Sequence, residues 1–221
     1  MRIASSFALA VAAAATAAAA GHADTNRNEL SFGGNARALR TSSANAVTGD
    51  NLAGLSIGAA RDLALAPLPG LALWAEAGLT TGSADGVMFQ TMATELRQLG
   101  LTGGLAARYR LHRLVTASAR VALGAQRAEL HVDGGGSVAQ SGQAWGAVAA
   151  TGAALDLFAT SRPPFGIGMR VELGYLAAQG VGLAMHRDSA DAVAPLAIRD
   201  LMLGQLDLSG PSFAVSVLGQ F

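Results

Sequence analysis

The chain has 221 residues, no Cys, a formal net charge of zero and a pI near 6.9. The balanced charge gives nucleic acid or a strongly charged partner nothing to read, and the missing Cys excludes disulfides, zinc–thiolate sites and Cys nucleophiles. Hydrophobic residues make up 51%, but aromatics only 5%, with 28 Gly. An apolar fraction built from Ala and Gly suits close packing or a lipid-facing surface better than a thick water-soluble core.

At the N-terminus, Arg2 precedes an apolar, Ala-rich run over 4–20, and Gly21-His22-Ala23 follows. Charge, apolar run and small-residue exit in that order predict a secretory signal peptide over 1–23, cleaved before Asp24, and a mature domain over 24–221.

No long apolar helix follows. The longest uncharged stretch, 134–155, holds six Gly and makes a poor membrane helix. Period-two alternation recurs instead. It predicts strands over 28–40, 51–63, 70–82, 95–111, 114–132, 143–159, 166–182 and 209–221. Gly33, Gly34 and Asn35 blur the first strand. In the third, Leu71, Leu73, Ala75, Ala77 and Leu79 alternate with Trp74, Glu76, Gly78 and Thr80. In the fourth, Leu101, Leu105, Ala107, Tyr109 and Leu111 alternate with Thr102, Gly104, Arg108 and Arg110. The fifth sets Val115, Ala117, Ala119, Val121, Leu123 and Ala125 against Thr116, Ser118, Arg120, Ala122, Gly124 and Gln126. The seventh sets Ile167, Met169, Val171, Leu173 and Tyr175 against Gly168, Arg170, Glu172 and Gly174.

Each strand thus has one apolar face and one face of small residues with isolated charges. A soluble sandwich alternates too, but its water-facing side seldom holds so much Gly and Ala. A membrane barrel places the apolar face on lipid and the small or charged face in its lumen. Short links near 64–69, 112–113 and 160–165 alternate with longer ones near 41–50, 83–94, 133–142 and 183–208. Three short turns and four longer loops predict an all-β fold: an eight-stranded antiparallel up-and-down transmembrane barrel with both termini at one end. A tilted strand of about 9–11 residues crosses a bilayer, so every predicted strand is long enough. Closure follows from the solvent, because lipid cannot satisfy an open sheet edge.

The C-terminal segment Phe213-Ala-Val-Ser-Val-Leu-Gly-Gln-Phe221 resembles the terminal strand of Gram-negative outer-membrane β-barrel proteins. Phe221, Val217, Val215 and Phe213 match that family's terminal aromatic and alternating apolar pattern. Gly219 departs from it, being small where a larger apolar residue is common. In size and organisation the mature chain is similar to small eight-stranded barrels such as the OmpA-type transmembrane domain. The resemblance implies the bacterial outer membrane as location, outer-membrane lipids as surroundings and recognition by the barrel-assembly machinery; a partner for the loops is unknown. Fold resemblance does not fix function.

The predicted lumen charges are Arg37, Glu76, Arg108, Arg110, Arg120, Asp156, Arg170 and Glu172. The first reading is a network of Arg–carboxylate pairs that plugs the lumen and leaves a structural or surface-interaction role. The second is a narrow small-solute or lipid-access channel, its anion-favouring lining suggested by five Arg against three carboxylates. The third is a barrel-embedded lipid-modifying enzyme. Mature His residues are His112, His131 and His186, and none stands in the short Ser/Asn-containing motif of the outer-membrane lipid hydrolases, so no catalytic residue is expected. Asp188, Asp191 and Asp200 lack a Gly-centred calcium-loop spacing, and Gly134-Gly135-Gly136 precedes neither a helix start nor a Lys. No cofactor or metal is expected. Trp145, Tyr109 and Tyr175 are candidates for interfacial aromatics. Trp74 is a fourth, yet its parity places it on the lumen face, which conflicts with that role.

Overall fold

The computed structural model describes residues 28–49, 51–88, 90, 92–133, 139–160, 165–187 and 202–221. The signal peptide expected over 1–23 lies outside the described residues, as do Gly134-Gly135-Gly136 and the acidic group Asp188, Asp191 and Asp200.

Alternating faces become strands along the whole chain: β1 (Asn28–Ala38), β2 (Asn51–Asp62), β3 (Leu71–Met88), β4 (Met92–His112), β5 (Val115–Asp133), β6 (Ala139–Thr160) and β7 (Gly166–Ala178). Three short strands follow, β8 (Val181–Ala184), β9 (His186–Arg187) and β10 (Met202–Leu206), and β11 (Gly210–Gln220) ends the chain. Eight of them form one closed antiparallel barrel in the order β5-β4-β3-β2-β1-β11-β7-β6, with β6 returning to β5. The seam between the termini is stitched by Asn28 and Phe221, whose amides donate to each other's carbonyls at 2.8 and 3.0 Å.

The register fixes the barrel's shape. Level pairs run Leu157↔Met169↔Val217↔Phe32↔Ile57↔Leu79↔Leu101↔Ala125↔Ala147. The walk leaves β6 at Leu157 and re-enters it at Ala147, ten residues away. A shear of ten over eight strands sets the strand tilt at about 40°. Glycines permit this close approach of neighbouring strands. A Cβ on Gly33 would stand 2.0 Å from the Val215 carbonyl oxygen, and one on Gly104 2.1 Å from that of Val121.

The apolar faces point outward. Phe32, Ile57, Leu101, Leu105, Val121, Leu123, Leu155, Ile167, Leu173 and Val217 are all exposed. On β4 the outward apolar run from Tyr109 to Leu99 rises about 25 Å at this tilt, the height of a transmembrane barrel's apolar band.

Above that run the polarity inverts. The outward residues become Glu95 and Arg97 on β4, Arg127, Glu129 and His131 on β5, and Gln143 on β6. The inward ones become Leu96, Ala128, Leu130 and Val132, all buried. Strands β3 to β6 therefore continue past the lipid-facing zone into water. The sequence pattern predicts a third strand that ends at 82 and a fourth that begins at 95. In the structure the hairpin runs on to Met88↔Met92, because Ala84 and Met88 have a core to enter at this height.

That core closes the loop end of the barrel. Inward residues of the strand extensions pack with Leu39, Val47, Val181, Leu183, Met185, Leu206 and Leu208 from the first and fourth loops, and with Ala44 of a short helix α1 (Ser42–Asn45). The fourth loop, predicted as a longer link over 183–208, pairs β8 with β10 and adds β9 to the edge of β6. The two loops are sewn together: Thr41 Oγ1 donates to the Asp207 carbonyl at 2.6 Å and the Asp207 amide to Ser43 Oγ at 3.2 Å.

Candidate functional site

Three layers fill the lumen, and the sequence dictates each. Toward the turn end, inward positions carry charge. Arg108 on β4 grips Glu29 on β1 with both terminal nitrogens, at 2.7 and 3.0 Å, and also donates to Glu76 on β3 at 2.7 Å. Arg170 on β7 forks side-on to Asp156 on β6, through Nε at 2.7 Å and Nη2 at 2.8 Å, and reaches Glu29 at 3.1 Å. Arg120 on β5 meets Glu172 on β7 at 2.5 Å. Gln220 donates to Glu29 at 3.0 Å. The Arg108 guanidinium lies 4.1 Å above the Trp74 ring, a cation–π contact. These strands come from all around the barrel, so the network acts as a floor of spokes. Forked guanidinium–carboxylate geometry is what makes so many desolvated charges tolerable together.

The structure turns seven of the eight predicted lumen charges inward and brings six together in this floor: Glu76, Arg108, Arg120, Asp156, Arg170 and Glu172. Arg37 is inward but stands apart, higher in the lumen. Arg110 is the exception. It has the right parity but sits beside the short turn at the end of β4, where the barrel opens to solvent, and it is exposed. Glu29, only 2% exposed and the most connected carboxylate among the described residues, is absent from the predicted set. Its signal was its parity with Arg37 along β1, obscured by the glycines between them. With Arg110 out and Glu29 in, the expected excess of five Arg over three carboxylates becomes four against four among the described residues. The charge argument for an anion-favouring channel lining goes with it.

The Trp74 conflict resolves in favour of the register. Trp74 is buried inside the lumen beneath Arg108, and Trp145, Tyr109 and Tyr175 are outward and exposed. Trp145 lies at the level of Arg127, where the outward face turns polar, as an interfacial aromatic does.

The middle layer is made of small and hydroxyl side chains, among them Ser31, Ser56, Thr80, Thr102 and Ser212, around a cavity of about 130 Å³. The top layer is the apolar loop core. The sequence predicts a largely plugged polar lumen; the structure has a polar floor under an apolar cap.

On the outer face above the apolar band, Arg97 forks onto Glu95 at 2.7 and 3.0 Å and holds that carboxyl below its usual range. His131 pairs with Glu129 at 3.0 Å and stands directly across from Ser141 on β6. His112 is exposed at the turn end. Among the described residues no group of three or more acidic or His side chains is arranged to hold a metal. In the terminal strand, Phe213, Val217 and Phe221 are exposed on the outer surface and Val215 shares their face.

A closed eight-stranded antiparallel barrel, apolar outside, ion-paired inside and polar where its strands outrun the apolar band, has the fold of the small outer-membrane β-barrel proteins. Among solved structures, the attachment invasion locus protein Ail of Yersinia pestis is similar over 90% of this chain and 100% of its own, at 11% identity and a TM-score of 0.50. Neisserial surface protein A matches over 89% of this chain and 98% of its own, at 10% identity and a TM-score of 0.40. The outer membrane protease OmpT of Escherichia coli matches over 90% and 96%, at 8% and 0.49. No family model matches the sequence, and no curated protein matches it.

Proposed function

We propose that this chain is a non-conducting outer-membrane barrel with a structural or surface-interaction role, presenting the projecting end of β3 to β6 outside the cell. One observation carries the reading: the lumen is filled twice over, by an ion-paired floor and by an apolar cap, while polar strand ends rise about 15 Å beyond the Trp145 level. A channel needs neither a cap of packed Leu and Met nor strands extended into water. Ail, a barrel of the same fold, is an attachment and invasion protein by name; the surface role here stands on this chain's own projection. In this reading the chain is not an enzyme, and the Glu129–His131 pair is a surface ion pair. Its partners are outer-membrane lipids and, during insertion, the assembly machinery, which reads the Phe213–Phe221 strand.

The test joins location and conductance. The mature protein should fractionate with outer membrane, its 83–97 and 127–143 segments should be cut by protease added to whole cells, and planar bilayers holding it should show no steady channels. Stable single-channel steps would overturn the filled-lumen reading. Hydrolysis of labelled phospholipid or lipid A, abolished by Ser141→Ala or His131→Ala, would replace the surface role with an enzymatic one.

A further inference from the structure

The cavity between floor and cap is electrically lopsided. Its floor carboxylates are all engaged: Glu29 and Glu76 by Arg108 and Arg170, Asp156 by Arg170, and Glu172 by Arg120. Its upper end contains Arg37, which is 6% exposed and lines the cavity. Arg37 reaches across the barrel to Gln126 Oε1 at 3.5 Å and to the Leu208 carbonyl at 3.3 Å, two neutral acceptors at long range. It has no carboxylate partner among the described residues, and its Nε is buried without an acceptor. Asn35, two residues away on the same face of β1, also lines the cavity, and its Nδ2 is buried without a partner. The Gln126 Nε2, held beside Arg37, is in the same condition.

Two donor groups that line the cavity, Arg37 and Asn35, are thus short of acceptors at one end of it, with the unpartnered Gln126 amide beside Arg37, and one of the two carries a full charge. A guanidinium desolvated in a protein interior needs a counter-charge within contact distance. We propose that the Arg37 end of the cavity is a binding site for one small inorganic anion of the size of chloride, held by the Arg37 guanidinium and the Asn35 amide. The volume admits such an ion with a few waters. This is an internal structural site and not a conduction pathway: the floor carboxylates repel an anion from going further.

The experiment uses the mature protein folded in detergent. Crystals grown in sodium bromide should show an anomalous peak beside Arg37. Thermal stability should rise with the logarithm of chloride or bromide concentration at constant ionic strength, against gluconate, a far bulkier anion. Arg37→Met should lose that dependence, and Arg37→Lys should keep part of it. Absence of an anomalous peak at saturating bromide, or a peak elsewhere in the lumen, overturns the proposal. So does an identical halide response in Arg37→Met. Should Arg37→Met fail to fold, the bromide density in the unaltered protein decides alone.

Discussion

Glu29→Gln is the most incisive perturbation of the floor. The substitution keeps the side chain's shape and removes its charge. Glu29 accepts two bonds from Arg108 and one from Gln220, and it lies within ion-pair reach of Arg170. Gln retains one acceptor oxygen and presents an NH₂ group to a guanidinium that is 96% buried, since Arg108's side chain is 4% exposed. Arg108 keeps Glu76, and Arg170 keeps Asp156, so neither is wholly abandoned. Breaking one partner of a buried pair costs about 3–5 kcal/mol, and the remaining partners place the expected loss toward the lower bound, about 3 kcal/mol. With a urea slope of about 2 kcal/mol per molar, the unfolding midpoint in lipid vesicles should fall by about 1.5 M. Glu29→Gln combined with Arg108→Met should lose less than the two single changes added together, because the second change removes the charge that the first left unpaired. Glu95→Gln, whose carboxylate meets Arg97 in water, should leave the midpoint unchanged within error. A loss below about 1 kcal/mol for Glu29→Gln, the range of a solvent-screened surface pair, would show that the floor is wet and refute the argument that it closes the lumen.

Three further outcomes follow from the same geometry. Val121→Arg places a charge on the lipid face and should cost about 2–4 kcal/mol near the midplane; a fluorophore on Cys at 121 should be quenched by lipid-borne probes and one at 120 should not, and the reverse result would invert the register. Gly33→Ala drives a methyl into the β1–β11 seam and should destabilise by about 1–3 kcal/mol, whereas Gly219→Ala, with nothing within 4 Å of its Cβ, should be neutral or stabilise by about 0.5 kcal/mol in urea titrations. Deleting Phe221 should slow membrane insertion in an assembly assay, while Gln220→Ala should insert normally and lose about 1.5–3 kcal/mol through its bond to Glu29; equal insertion of the deletion and the intact chain would remove the case for a C-terminal assembly signal.

Strand number, strand order and face were legible in the sequence because period two is a local property. Val121 and Arg120 declare opposite faces without reference to any other strand, and turn lengths alone order the hairpins. The same parity placed Arg108, Asp156 and Arg170 in the lumen. What parity could not give was height along the barrel axis. Height depends on the shear of ten, which is the sum of eight pairwise registers and exists only in the closed barrel. Arg110 has the parity of Arg108 but lies too low to be buried. Arg37 shares Glu29's parity but lies too high to join the floor. The inversion of polarity past Leu99 and Arg127 was written in the sequence, yet its meaning required Leu208, Met185 and Leu39 to arrive from distant loops and make a core there. Alternation determined which way each side chain points; only closure of the barrel decided what it meets.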